Sequence, residues 1–371
     1  MPKVEAFTPQ HLDSLVALYA HIFGAGKAER FRRRFDWQFI RNPYCEGRET
    51  NWIITDDAQV VGHFGAVPVD FKVGEERVRG SWLCDFMAYP GHRTRPELAE
   101  LRARVSQSSA FPIAYGTPDR IARSFVAIDW QWRTMGPFLV KFLTLGALAV
   151  QPTGRRPGLA GRVRGVARRV ARLPRLFGHV LRQTLRPVPS GRGTGVELRA
   201  GFDDGFDRLW ARAGRAHAVA VARDRKYLTW RHPIGGSEEA RLVVLPGDDA
   251  PRAFAVLEKV QWRGLVVGLV SELVFPAAQV DDAMRVLAFA EEFLRREGVA
   301  AMVTEGFPSR LRQVFHAHGF VEIDRERENV IFFDRDRAFP PQLVGDIEDW
   351  LLTPGDCDRS LGYARVAWRS S

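Results

Sequence analysis

The sequence predicts a mixed α/β protein in which one unit is written twice. Three observations carry that prediction: landmarks that recur at a near-constant offset, the same order of periodic segments in each half, and an acid-free basic stretch between the halves. Trp37 and Arg41-Asn42-Pro43 are answered by Trp230 and Arg231-His232-Pro233, with the prolines 190 residues apart. Trp52-Ile53-Ile54 is answered by Leu242-Val243-Val244, and Val61-Gly62-His63-Phe64 by Pro251-Arg252-Ala253-Phe254, at the same offset. An acidic residue inside a hydrophobic run, Asp85, returns as Glu272 after 187 residues. Phe125-Val126-Ala127-Ile128-Asp129-Trp130 returns as Phe315-His316-Ala317-His318-Gly319-Phe320. A fixed offset over separated landmarks is the mark of a duplicated unit.

The elements follow from periodicity. Residues 9–23 place apolar side chains at 12, 15, 16, 18, 19 and 22, a helical stripe, and 28–41 reads as a second helix. Strands are expected at 51–56, 60–71 and 80–89, separated by the turn-forming stretches 56–59 and 72–79. Pro96 suits the first position of a helix running to Gln107. A strand at 111–115, a helix at 118–128 and a strand over 132–142 complete the first unit. The second repeats the order: helices 204–215 and 224–231, strands 240–246, 252–261 and 264–275, helix 279–297, strand 299–304, helix 308–317 and strand 320–334. The expected domains are therefore 1–145, a linker at 146–195, 196–335, and an extension at 336–371.

With 371 residues, 46% hydrophobic and 26% charged, the chain is long enough for two globular cores. Cys45, Cys84 and Cys357 form no paired spacing, which points to a reducing compartment and away from structural zinc. The first residues hold no apolar signal core, and the run 138–150 is broken by Lys141 and too short to span a bilayer. The expected location is the cytoplasm.

The net charge of +10 is local. Residues 151–195 hold 11 arginines and no acid, and without them the chain has 43 basic against 44 acidic residues. Leu159, Val163, Val166, Val170, Leu173, Phe177, Val180 and Leu185 form a helical stripe there, divided by Pro174. Such a segment suits three roles: a solvated inter-domain hairpin, a contact of 155–186 with an anionic membrane surface, or a grip on nucleic acid. Against the last, Phe177 is its one aromatic residue for base stacking.

The element order, with Tyr89-Pro90-Gly91-His92-Arg93 after the third strand and Gly116-Thr117-Pro118-Asp119 leading to Phe125 and Asp129-Trp130, resembles the GNAT superfamily of acyl-CoA-dependent N-acyltransferases. The resemblance implies a sheet with flanking helices, and acetyl-CoA or another acyl-CoA as substrate, with no metal. Phe86, Met87, Ala88, His92, Arg93, Thr94, Arg95 and Leu98 occupy the positions of the CoA-binding strand end and loop. The tandem arrangement and Asp349-Trp350 to Asp358 look like a bacterial group of double-GNAT proteins associated with surface-polysaccharide synthesis. That implies a small-molecule or glycan amine acceptor and a position at the inner membrane face.

This sequence departs from the family's loop. Pro96 has no N–H for a phosphate where the first loop glycine falls, Leu98 replaces the small residue, and Glu97 and Glu100 add negative charge. In the second unit the loop 275–282 has no arginine and ends in Asp281-Asp282, so that copy is expected to be free of cofactor. The usual tyrosine acid falls at Phe125; Tyr115 is the nearby substitute.

Acyl transfer to an amine requires a base and donors for the thioester carbonyl. Asp85, on the expected central strand, is the candidate base or a structural acid. Glu272, its counterpart, and His63 are candidates for an acceptor pocket, with a structural role as the alternative for each. His316 and His318 lack a third ligand, so no metal site is expected. Arg30–Arg34 reads as an exposed helix face, and 191–195 as a linker rather than a phosphate loop. Two other functions fit the same chain: a non-catalytic binding or scaffold protein with a degenerate CoA loop, and an aminoacyl-tRNA-dependent transferase.

Overall fold

The computed structural model describes residues 1–47, 49–93, 96–134, 136–144, 195–236, 239–305, 308–322, 329–356 and 364–368. The helical stripe and arginines of 155–186 lie outside the described residues. In chain order the first elements are β1 (Lys3–Ala6), α1 (Leu12–Phe23), α2 (Ala28–Phe35), β2 (Asn51–Asp56), β3 (Gln59–Val73) and β4 (Glu76–Ala88). Next come α3 (Pro96–Ser106), β5 (Phe111–Tyr115), α4 (Asp119–Val126), β6 (Gln131–Thr134) and β7 (Leu139–Phe142). Then follow β8 (Glu197–Arg199), α5 (Gly205–Ala213), β9 (Val219–Val221), α6 (Arg225–Arg231), β10 (Arg241–Leu245), β11 (Ala253–Trp262) and β12 (Leu265–Val274). The rest are α7 (Val280–Arg296), β13 (Ala301–Thr304), α8 (Ser309–Ala317), β14 (Val321–Glu322), β15 (Asn329–Phe332), α9 (Pro341–Gly345), β16 (Trp350–Leu351) and β17 (Ala364–Arg365).

These elements form two mixed sheets, each inside its own compact unit. The first unit comprises Met1–Met135, His217–Ala222 and Glu328–Leu351; the second comprises Gly136–Ala216, Arg223–Arg327 and Leu352–Ser371. The first sheet runs β1-β2-β3-β4-β5-β15-β6, with β9 joined to β3 and β16 to β9. The second runs β14-β7-β13-β12-β11-β10-β8, with β17 on β11. Each sheet is thus completed by a strand from the opposite half of the sequence: β15 between β5 and β6, β7 between β14 and β13.

Most neighbours are antiparallel, which short turns allow. The β4–β5 and β12–β13 pairs are parallel and need crossovers, supplied by α3 and α7. The expected strand over 132–142 is two strands, β6 and β7, which enter different sheets. Pro137 has no amide proton for a ladder, and Gly136 before it adds freedom, so the strand breaks there. The expected helix 28–41 ends as an α-helix at Phe35 and closes in a π-helical turn over Asp36–Ile40.

In the first unit a core cluster of Trp52, Ile54, Phe64, Leu83, Leu101, Val105, Phe125, Trp130 and Ile331 joins the sheet to α3 and α4. In the second, Phe138, Val140 and Phe142 of the β7 segment pack with Trp262, Leu269 and Val303.

Both parallel ladders stop early. The β4–β5 ladder runs from Gly80↔Phe111 to Trp82↔Ile113, and the β12–β13 ladder ends at Leu269↔Val303. Past those points β4 and β12 keep their antiparallel partners β3 and β11. Each also carries a bulge there, opposite His63/Gly65 in the first sheet and Val256/Leu257 in the second. A bulge adds a residue to one strand and re-aims the side chains beside it.

Candidate active site

Three residues beyond the end of its parallel ladder, Asp85 takes a left-handed backbone conformation, φ 55°, inside the bulge of β4. Aspartate tolerates this region better than most residues, yet in a strand interior it needs support. Two neighbours provide it. His63, on β3, places Nδ1 3.2 Å from the Asp85 carbonyl oxygen, and Arg34 donates from Nη2 to Asp85 Oδ1 at 2.5 Å.

Arg34 comes from the last turn of α2, beside the buried rings of Phe31 and Phe35. Its guanidinium lies 5.5 Å from the Phe31 ring centre and 5.9 Å from that of Tyr19. The side chain is 15% exposed and its carboxylate partner 7%, so this is a shielded ion pair rather than a surface one. The expectation of an exposed face therefore holds for Arg33, at 75%, and fails for Arg34. Asp85 Oδ2 is buried with no hydrogen-bond partner among the described residues.

His63 is fully buried, and burial, against the pull of Asp85, lowers its pKa to about 4. The ring is therefore neutral near pH 7 and has one N–H. Its Nε2 lies 3.0 Å from the amide oxygen position of Asn51, whose amide nitrogen position lies 3.0 Å from Thr50 Oγ1. A neutral ring donating to the Asp85 carbonyl satisfies both contacts when Asn51 turns its nitrogen toward Nε2 and accepts from Thr50.

Of the remaining first-unit candidates, Phe86, Met87 and Ala88 follow Asp85 on β4. Phe86 turns to the opposite face, where its ring centre lies 4.6 Å from Phe64 and 6.0 Å from Phe125. Leu98, from α3, packs against the same cluster. Met87 pairs with His63 and Ala88 with Gly62, both in buried backbone. From Leu83 to Ala88, past the ladder with β5, the ladder partner of β4 is β3.

At the strand end, Arg93 donates from Nε to the Ala88 carbonyl at 3.1 Å. His92 closes a short 3-10 turn, and its Nδ1 is buried without a hydrogen-bond partner among the described residues. Thr94 and Arg95 lie outside the described residues. Helix α3 opens on Pro96 with Glu97 in its first turn, which weakens its N-terminus as an anion site. Tyr115 ends β5, half-buried, opposite Val330 of β15. Phe125 is buried in the core and its ring has no proton to give.

The second unit repeats the geometry with a different outcome. Glu272 lies three residues beyond Leu269 and accepts from Arg223 Nε at 2.9 Å, both side chains fully buried. Burial opposes the Glu272 charge, but Arg223 and His232 outweigh it and hold the carboxyl down at about 2. Its other oxygen accepts from Thr353 Oγ1 at 3.0 Å and lies 3.4 Å from His232 Nε2. Asp282 at the start of α7 is buried and receives Arg252 at 3.0 and 2.9 Å, so this helix start already carries its own anion. Sequence reading missed Arg34, Arg223, Asp356 and Thr353. Only for Arg34 was there a local signal, its place beside the Phe31/Phe35 stripe. Among the described residues no group of three His, Cys, Asp or Glu side chains could hold a metal ion, and no helix is long and apolar enough to cross a membrane.

Comparison with known proteins agrees with this architecture. Residues 3–123 match the family model described as an acetyltransferase (GNAT) domain. No curated protein matches the chain. A probable N-acyltransferase from Enterococcus faecalis V583 superposes with a TM-score of 0.55 at 10% identity, over 89% of this chain and 72% of its own. A GCN5-related N-acetyltransferase from Kribbella flavida gives 0.55 at 16%, over 90% and 73%. N-myristoyltransferase from Saccharomyces cerevisiae, with bound myristoyl-CoA, gives 0.56 at 10%, over 90% and 82%. The chain therefore has the GNAT acyltransferase fold, and its residues 3–123 carry the sequence pattern of a GNAT acetyltransferase domain.

Proposed function

We propose that the protein transfers an acyl group from an acyl-CoA thioester to an amine, and that the first unit performs the reaction. The observation that carries this reading is Asp85: Arg34 fixes one oxygen, the other is buried and unpartnered among the described residues, and both stand where the β4–β5 ladder has ended. An unpartnered buried carboxylate oxygen is costly unless a ligand brings it a donor, and an ammonium does so.

In the proposed reaction Asp85 takes a proton from the acceptor ammonium, directly or through a water. The amine attacks the thioester carbonyl, the C–N bond forms, the C–S bond breaks, Tyr115 protonates the leaving thiolate, and the second proton shed by the nitrogen restores the tyrosine through water. The β4 segment from Phe86 to Ala88, past the ladder with β5, holds the arm of the thioester, Leu98 lines its apolar side, and His92, Arg93, Thr94 and Arg95 meet the phosphates. His63 supports Asp85 from within, and the proposed acceptor is a small-molecule or glycan amine. The second unit is proposed to be free of CoA. The cytoplasmic location, and an inner-membrane position through 155–186, belong to the same proposal.

A second reading has one observation in its favour. Pro96 and Glu97 leave α3 a poor partner for a pyrophosphate, as expected of a binding protein that keeps the fold without the reaction. Calorimetric titration of acetyl-CoA and longer acyl-CoAs into the full chain decides between them. Micromolar binding that Arg93→Glu abolishes supports the transferase; a folded chain that takes up none of them supports the binding protein.

A further inference from the structure

We propose that the second unit contains a gap for an extended thioester arm and that the chain's own residues Thr353–Asp356 fill it. This rests on reading the end of the β4–β5 ladder beside Asp85 as the thioester site, since the second gap is recognised by the same geometry.

In β12, as in β4, the parallel ladder ends just before a bulge and an arginine-paired carboxylate. Two groups enter beside the freed strand. Thr304 Oγ1 donates to the Val270 carbonyl at 2.9 Å, and the Gly355 N–H donates to the Ser271 carbonyl at 3.1 Å. The second is a main-chain amide from a distant part of the sequence making the bond that a ligand's amide would make on an exposed strand edge.

The segment is held through its side chains and through Gly355. Arg223 donates from Nη2 to Asp356 Oδ2 at 2.5 Å and to Thr353 Oγ1 at 3.1 Å. Tyr227 donates its hydroxyl to Asp356 Oδ1 at 3.2 Å, and Arg231 Nε donates to the Gly355 carbonyl. Within the segment, Thr353 N–H donates to Asp356 Oδ2 at 2.8 Å. Residues 353–356 are all buried. Burial, ahead of the opposing pull of Arg223, raises the Asp356 carboxyl to about 6, with Glu272 adding repulsion. Gly355 is required by space: a Cβ there would collide with the Glu272 carboxylate and come within 3.1 Å of His232.

Acetyl-pantetheine is the probe, because it lacks the phosphates that Asp281 and Asp282 would repel. It is titrated into the full chain and into two variants, Gly355→Leu, which cannot seat the segment, and Thr353→Ala/Asp356→Ala, which removes its side-chain anchors. Hydrogen exchange on the same samples reads amide 355. In the variants that amide should exchange roughly 100-fold faster, with first-unit amides unchanged, and one further equivalent of probe should bind. No added equivalent with the segment released would overturn the proposal, as would unchanged protection of amide 355 in both variants. Loss of protection throughout the second unit of both variants, with no probe bound there, would make the segment part of that unit's core and overturn it as well. Failure of the wild-type chain to take up any probe would count against the first-unit site, while the increment between wild type and variants would still test the second.

Discussion

Asp85 and Glu272 stand three residues past the last parallel pair of their own sheets, each bound to an arginine, and they differ in what meets the second oxygen. At Glu272 it is the hydroxyl of Thr353, with Gly355 packed beside it. At Asp85 the second oxygen has no protein partner among the described residues. The same local geometry thus gives a carboxylate with both oxygens bonded in one unit and one with a buried, unpartnered oxygen in the other.

Replacing Asp85 by Asn removes the proposed base and keeps a residue that accepts positive φ. Turnover should fall by roughly 100-fold or more, with acyl-CoA affinity nearly unchanged and a lower melting temperature because Arg34 loses its counter-charge. Steady-state kinetics beside calorimetry checks this; a collapse of folding with no kinetic defect in the surviving protein would make Asp85 structural.

Arg34→Met leaves the Asp85 charge buried without its partner and should lower unfolding free energy by about 3 kcal/mol. In Arg34→Met/Asp85→Asn the charge is gone, so the double variant should be more stable than Arg34→Met alone. Urea denaturation of the four proteins completes the cycle.

His63 gives a pH signature. Its folded pKa of about 4 lies below the ordinary 6.5, so the unfolded chain binds the extra proton first as pH falls. The contribution of the neutral ring is full above pH 6.5 and is lost as pH falls toward 4, by about 3 kcal/mol in all. The stability difference between wild type and His63→Gln should therefore be flat above pH 7 and shift in favour of the variant by that amount near pH 4. A parallel offset across the range would contradict the assignment.

At Gly80, the first pair of the β4–β5 ladder, a Cβ would strike the Phe71 ring and approach the Phe111 carbonyl oxygen to 2.7 Å. Gly80→Ala should cost about 2 kcal/mol through forced displacement of the core, read as a lower urea midpoint at unchanged slope.

Periodicity and turn residues carried most elements, because helical stripes such as 12–22 and short apolar runs before turn residues such as 51–56 are local properties. The destinations of β7 and β15 were not local. Gly136-Pro137 marks a break, but which sheet receives the next four residues depends on edges formed elsewhere in the chain. The site was legible to the same extent. Asp85 stood out as an acid in an apolar run, whereas Arg34 was hidden among neighbours such as Arg32 and Arg33, whose ion pairs are exposed. The Thr353–Asp356 segment had only its composition to show, since its partners lie about 80 to 130 residues away in sequence.

The reciprocal exchange of β7 and β15 sets a timetable for synthesis. The first sheet has a missing inner strand until residue 332 has left the ribosome, although its other long strands are complete by residue 115. Until then β5 and β6 offer unpaired edges, the condition under which nascent chains recruit holding factors or pair with the wrong neighbour. Neither 1–145 nor 196–371 therefore holds all the strands of its own sheet. Separately expressed 1–145 and 196–371 should be poorly soluble apart and recover order when produced together.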